Sequence, residues 1–204
     1  LRSARNWGIG DFTDLAELIE YCAAAGMDLV GLNPLHAPDL AGDDFSSPYS
    51  PSDRRFLNPL YIDPIGVEDF QESKALADHC ASSAFQQKLE ALRSAPLIDY
   101  EGVVVLKFSV FDAMYEHFRR NHMALGSERA KAFTKFAEKG GKTLEAYARY
   151  EAMHGGSLSK SAGDPHFHKY LQWLADHQLQ RCQSLALECG MKVGLMRDLA
   201  VGAV

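Results

Sequence analysis

The carboxylate with the most to offer in this 204-residue chain is Asp198. It follows Arg197, just behind the apolar run Met191 to Leu195. A short apolar run after a helix reads as a buried parallel strand. Both side chains then leave at the C-terminal end of a strand, where α/β folds gather their ligands. Asp198 is either a functional acid there, or an acid paired with Arg197 or capping a loop. The second group of interest is the run Ser46 to Tyr61, with three prolines, four serines, two tyrosines and three charged residues in sixteen positions. Proline excludes a helix and a central strand, which leaves a long, stiff, polar loop with rings set in it. Its hydroxyls and ring faces, Ser47 and Tyr49 among them, suit a carbohydrate, whose faces are apolar and whose edges form hydrogen bonds. The alternative is a structural loop closing one end of a domain. Glycoside chemistry needs two carboxyl groups, about 5–5.5 Å apart for retention and about 6.5–9.5 Å for inversion. Asp198 has no evident partner at another strand exit, so the pattern reads as substrate contacts without a reacting pair.

Other candidates are weaker. His166 and His168 flank Phe167, with His154 upstream. An HxH pair can hold a metal, but without an acidic or Cys cluster nearby these read as surface histidines. Cys22, Cys80, Cys182 and Cys189 form no CxxC. Cys182 and Cys189 fall on one helix, about 10 Å apart by its rise and too far to bridge. Reduced, mostly buried thiols of a cytoplasmic protein are expected, and these spacings do not suit zinc. Gly8-Ile9-Gly10 is not a dinucleotide fingerprint, because Thr13 stands where the third glycine belongs and no strand precedes it. It reads as a tight turn. Trp7 and Trp173 read as packing residues, with Trp7 also a conceivable sugar platform. Lys131, Lys135, Lys139 and Lys142 read as a solvated face.

The elements that must position these groups follow from periodicity. Asp11 is placed to cap a helix whose buried stripe is Phe12, Leu15, Ala16, Ile19, Cys22 and Ala23, with Gly26 as its stop. Leu29 to Leu32 reads as a buried parallel strand ended by Asn33-Pro34, and the proline-tyrosine loop leaves its C-terminal end. Asp28 falls at the opposite, stability-bearing end. From Val67 to about Gly156 the pattern is helical: one or two helices over 76–92, one over 100–122, one from Ser127 to Lys139 broken at Gly140-Gly141, and a resumption over 144–154. Val103-Val104-Val105 favours strand by propensity, but its context predicts helix. Gly155 to Gly163 is a linker, and Asp164-Pro165 opens a long helix that ends at Gly190. Three segments result: 1–66 with the substrate loop, 67–156 as a helical insertion, and 157–204 as a helix and strand.

Composition sets bounds on partners. The chain is 47% hydrophobic and 24% charged, with a net charge of −6. That argues against nucleic acid and anionic membrane as main partners. No run approaches 18 apolar residues and no secretion signal opens the chain. Leu1 is not methionine, so a fragment or processed piece is expected.

Several motifs carry a family resemblance: Leu1-Arg2-Ser3 with Asn6-Trp7-Gly8-Ile9-Gly10-Asp11-Phe12; Gly31-Leu32-Asn33-Pro34-Leu35-His36-Ala37; Ser47-Pro48-Tyr49-Ser50-Pro51-Ser52; Leu57-Asn58 with Tyr61-Ile62-Asp63; Leu171 to Ala175; and Gly194-Leu195 with Arg197 to Gly202. Together they resemble the bacterial 4-α-glucanotransferases, the amylomaltase or disproportionating enzymes of the α-amylase clan. The resemblance runs the whole length. It implies an α/β chain forming part of a (β/α)8 TIM barrel, from the end of its first strand to its third, with a mostly helical insertion between the second and third. It also implies a retaining transfer of α-1,4-glucan segments between maltooligosaccharides, without metal or organic cofactor. Tyr49 and Asp198 match substrate-binding residues of the family, and Ser47 and Arg197 neighbour them. The family's nucleophile, acid/base and transition-state carboxylates come from later strands and have no counterpart here. Met196 stands where relatives often carry tyrosine. Two other readings remain open, a glucan-binding module without chemistry and a hydrolase of the same clan. A partial barrel exposes strand edges, so self-association or marginal folding of the isolated piece is expected.

Overall fold

Two helices set up the strands of this fold, and both stop in the same way. In the computed structural model, which describes residues 3–40, 42 and 46–202, α1 (Phe12–Ala24) and α7 (Pro165–Glu188) each run on into a Gly-Met pair. Gly26 and Gly190 take positive φ of 79° and 89°. Met27 N–H donates to Cys22 O (3.0 Å) and Met191 N–H to Ala186 O (3.0 Å), while the glycine N–H groups reach Ala23 O and Leu187 O. These are Schellman stops, in which a left-handed residue satisfies the last carbonyls of the helix. The first two residues of the family motif, Leu1 and Arg2, lie outside the described residues.

Each stop feeds a strand. β1 (Leu29–Leu32) and β4 (Gly194–Arg197) pair in parallel, Leu29 opposite Gly194 and Leu32 opposite Arg197. The fold is therefore α/β. β4 starts three residues later than the run Met191 to Leu195 predicts. The reason is the stop itself: Met191 is buried as its apolar contact, and the strand begins only once the chain clears it. The strands are also less buried than their apolar sequences suggest. Val30 is buried, but Leu29 and Met196 are 41% and 56% exposed.

The polar loop holds more regular structure than its prolines suggest. Asp53–Leu57 forms β3, which pairs antiparallel with the two-residue β2 (His36–Ala37). Pro59–Tyr61 follows as a single 3₁₀ turn capped by Asn58. Proline is excluded from central strands but permitted beside a two-stranded ribbon, and Pro51 and Pro59 flank β3.

The segment between is helical: α2 (Glu68–Gln71), α3 (Lys74–Ala81), α4 (Ser83–Ser94), α5 (Tyr100–Phe118), a π turn over Arg119–Met123, and α6 (Glu128–His154). Val103 to Val105 lie inside α5. Gly141, at φ 53° and ψ −144°, breaks α6 where the glycine pair predicts. One hydrophobic cluster runs from Trp7 through Phe85, Val103, Phe118 and Phe167 to Met191, so α1, α4, α5 and α7 share a core with β1. Trp7 is 1% exposed and meets Phe85 edge-on at 5.3 Å. That makes it a packing residue, not a sugar platform. Gly8 allows this placement: its φ is 82°, and a Cβ there would lie 2.8 Å from Leu92 Cβ. His168, expected on the surface, is buried with Nε2 2.7 Å from Ala162 O. Cys22, Cys80 and Cys182 are buried and Cys189 exposed. Among the described residues no helix is long and apolar enough to cross a membrane.

Candidate functional site

The site is assembled by backbone accounting, in which each segment that carries a functional side chain has its N–H and C=O groups satisfied by a neighbour. Ser47 makes the turn before Tyr49. Its Oγ accepts from Tyr49 N–H (3.3 Å) and its carbonyl from Ser50 N–H (3.3 Å). Ser52 N–H and Oγ both donate to Ala37 O, at 2.9 and 3.1 Å. Asn58 N–H donates to Leu35 O (2.9 Å). Phe56 stacks on Tyr147 of α6 with ring centroids 4.1 Å apart.

Beneath this, Lys107 of α5 is fully buried. Its ammonium donates to Leu60 O (2.6 Å) and Ile62 O (2.8 Å) at the end of the loop. Burial brings its pKa down to about 8, against the opposing pull of Asp11, Asp63 and Asp14. Glu151 of α6 is buried under Ser52. Burial and the charges of Asp39 and Asp53 push its carboxyl up to about 8, offset in part by a hydrogen bond from Ser52.

α7 supplies the rest through three glutamines. Gln172 Oε1 accepts from Leu57 N–H (2.9 Å) while its Nε2 donates to Leu57 O (2.7 Å). Gln178 makes the same two-way contact with Asp63, both bonds at 2.9 Å. Gln183 accepts from Leu195 N–H (2.8 Å) and donates to Val193 O (3.2 Å). A primary amide presents one acceptor and one donor face, as a peptide group does. Each glutamine thus satisfies backbone N–H and C=O groups much as a neighbouring peptide would.

At the end of β4, Asp198 N–H donates to Leu32 O (3.0 Å), extending the ladder. Its Oδ1 accepts from Leu199 N–H (2.8 Å). Its Oδ2 accepts from the phenol of Tyr49 at 3.0 Å, across 149 positions of sequence. That bond holds the Tyr49 hydroxyl above its ordinary range. The pair is solvent-facing, with Tyr49 52% exposed. Arg54 donates to Val201 O (3.0 Å) and His36 Nε2 accepts from Ala200 N–H (3.2 Å), tying the ribbon to the segment after β4. Burial and the charges of Arg197 and Arg54 hold His36 below its usual range.

A cleft of about 470 Å³ lies alongside, its walls including Gly10, Phe12, Leu32, His36, Ser47 and Tyr61. Of the four residues singled out by sequence, Tyr49 and Asp198 touch, Ser47 shapes the turn and enters the cleft wall, and Arg197 is the exposed end of β4. Tyr49, Arg197 and Asp198 lie outside the cleft lining. Asp11 caps α1 in a reciprocal box with Asp14 and also pairs with Arg5, and Asp28 pairs with Lys192 at 3.0 Å. Sequence reading gave no role to His36, Arg54 or Glu151. His36 carried one usable signal, its place beside Asn33-Pro34 at a strand exit.

With this geometry the relatives can be named. The chain is 33% identical to a 4-alpha-glucanotransferase of Haemophilus influenzae, over 100% of its own length and 34% of that protein's. It is 32% identical to a 4-alpha-glucanotransferase of Mycobacterium bovis, over 99% of its length and 31% of the relative's. The crystal structure of amylomaltase from Corynebacterium glutamicum superposes with a TM-score of 0.86 at 32% identity, covering 100% of this chain and 29% of that one. The chain thus spans about a third of the length of the relatives it matches. The family model described as 4-alpha-glucanotransferase matches residues 1–164, more than half of the chain, and on that match the chain belongs to the 4-alpha-glucanotransferase family.

Proposed function

We propose that these residues form one wall of the glucan cleft of a 4-α-glucanotransferase. The complete protein moves α-1,4-glucan segments between maltooligosaccharides by a retaining double displacement. Tyr49 and Asp198 bind the donor sugar, Ser47 and Arg197 border it, and the reacting carboxylates come from elements outside these 204 residues. The observation that carries this reading is the 3.0 Å bond from the Tyr49 phenol to Asp198. It joins a polar loop to a strand exit and leaves phenol and carboxylate oxygens as acceptors, with a ring face, open to solvent.

On this reading the strands β1 and β4 are the second and third of a (β/α)8 barrel, and 67–156 is a helical insertion between the segments 1–66 and 157–204. Leu29, Val193 and Met196, which are partly exposed here, are covered by further strands in the complete protein, and the isolated piece self-associates through them. No cofactor is required by the proposed chemistry, and the protein works in the cytoplasm. Transfer requires that a sugar hydroxyl, not water, reach the intermediate. The ribbon and its Tyr49 turn shield it.

The test is Tyr49→Ala in the complete protein. Loss of the ring and hydroxyl lowers transfer between maltooligosaccharides by about 10²-fold, the scale of a misplaced substrate. Wild-type kinetics in that variant would remove the assignment. Product analysis separates the neighbouring readings: longer glucans mark a transferase, free sugars a hydrolase, and binding without turnover a module.

A further inference from the structure

Far along the chain from Tyr49, three side chains converge on one point. Glu72 is the C-terminal cap of α2, His117 lies in the last turn of α5, and His122 lies in the π turn that follows. His117 Nε2 is 3.1 Å and His122 Nε2 2.9 Å from the same oxygen, Glu72 Oε2. The three potential ligand atoms all lie within 4.8 Å of one another. We infer that Glu72, His117 and His122 bind one divalent transition-metal ion of the zinc class, which fastens the end of α2 to the end of α5.

The backbone between the histidines favours this reading. Five positions on a regular α-helix stand about 140° apart around the axis, so two such rings diverge. The π turn over Arg119–Met123 adds a residue to the turn and brings His122 back to the side of His117.

Distances fit as well. Tetrahedral zinc with bonds of about 2.0–2.1 Å separates its ligand atoms by roughly 3.3 Å. Two of the three edges here are 3.1 and 2.9 Å. The donor set, two imidazoles and one carboxylate, is one that zinc accepts with water in the fourth position.

The surroundings orient the rings. His122 Nδ1 is 3.0 Å from Ser127 Oγ, which directs Nε2 toward the site. Such an outer contact fixes the tautomer of a ligating histidine. The Asn121 amide nitrogen lies 3.0 Å from His117 Nδ1 and 3.1 Å from its Nε2, so it holds the ring in place without selecting a tautomer. The two rings are 14% and 11% exposed and Glu72 41%, so a water ligand enters from the Glu72 side. Asp69 is 3.7 Å from His122 Nε2 but is held by Arg129 and Tyr170, so it adds negative charge without joining the set.

The test uses the complete protein, stripped with a chelator and titrated with zinc by calorimetry, with melting followed in parallel. Glu72→Gln and His117→Gln are compared with wild type, so that zinc bound elsewhere cancels. Zinc affinity at this site falls more than about 100-fold in both variants, beyond the roughly 10–100-fold that loss of an outer contact brings, and the zinc-dependent rise in melting temperature disappears. Glu72→Gln keeps size and hydrogen bonding at a half-exposed position, and far-UV circular dichroism verifies its fold. Equal zinc stoichiometry and affinity in wild type and both folded variants would overturn the site.

Discussion

Glu151 is a carboxylic acid placed where a carboxylate is costly. Its pKa of about 8 in the folded protein lies well above the ordinary value near 4.3 of an unfolded chain. The folded state therefore holds the proton more tightly, and stability from this group is full below about pH 4.3 and drains away as pH rises through 8. The slope approaches about 1.4 kcal/mol per pH unit between those limits, or roughly 3 °C in melting temperature for a chain of this size. Glu151→Gln keeps the hydrogen-bonding shape and removes the titration. The variant is expected to melt several degrees above wild type at pH 8 and to match it near pH 4, as read by thermal denaturation across pH. Parallel melting curves at both pH values would contradict this. Lys107 titrates with the opposite sense. A base held at about 8 costs stability below that pH and returns it above, toward the ordinary lysine value near 10.4. The two buried charges under the ribbon thus place its least favourable electrostatics near pH 8.

The glutamines of α7 are the element-scale counterpart. Gln172→Leu removes both partners of Leu57 N–H and C=O in a half-buried position. Each unsatisfied group costs about 1–3 kcal/mol, so the variant is expected to melt roughly 5–15 °C lower, with transfer activity falling as the ribbon loosens. An unchanged melting temperature would mean water replaces the amide without loss. These contacts also mark what sequence could and could not supply. Helix starts at Asp11, Ser127 and Asp164 and the break at Gly141 were legible, because caps and left-handed glycines are local. β3 was not, since its partners are a two-residue strand and a glutamine 115 positions away. The π turn was equally hidden, as no local preference announces it. The start of β4 was misjudged because an apolar residue serves a helix stop and a strand alike. For the site, the residue types of Tyr49 and Asp198 suggested carbohydrate and a strand exit separately. Their contact spans 149 positions and no spacing rule reaches that far.

At the scale of the whole molecule, the partly exposed Leu29, Val193 and Met196 bear on the proposed barrel. The isolated 204 residues are expected to associate in sedimentation measurements, whereas a monodisperse, highly stable monomer would argue that the two strands need no neighbours. The glutamines add a further consequence. Gln172 holds the ribbon that carries Tyr49, and Gln183 holds the strand that carries Asp198. They sit eleven positions apart on one uninterrupted helix, about 16 Å by its rise. The phenol and the carboxylate are thus both measured from a single rod, whose length is fixed by covalent geometry and backbone pitch. Changes of length in the long helical excursion between them need not alter the aperture presented to a sugar.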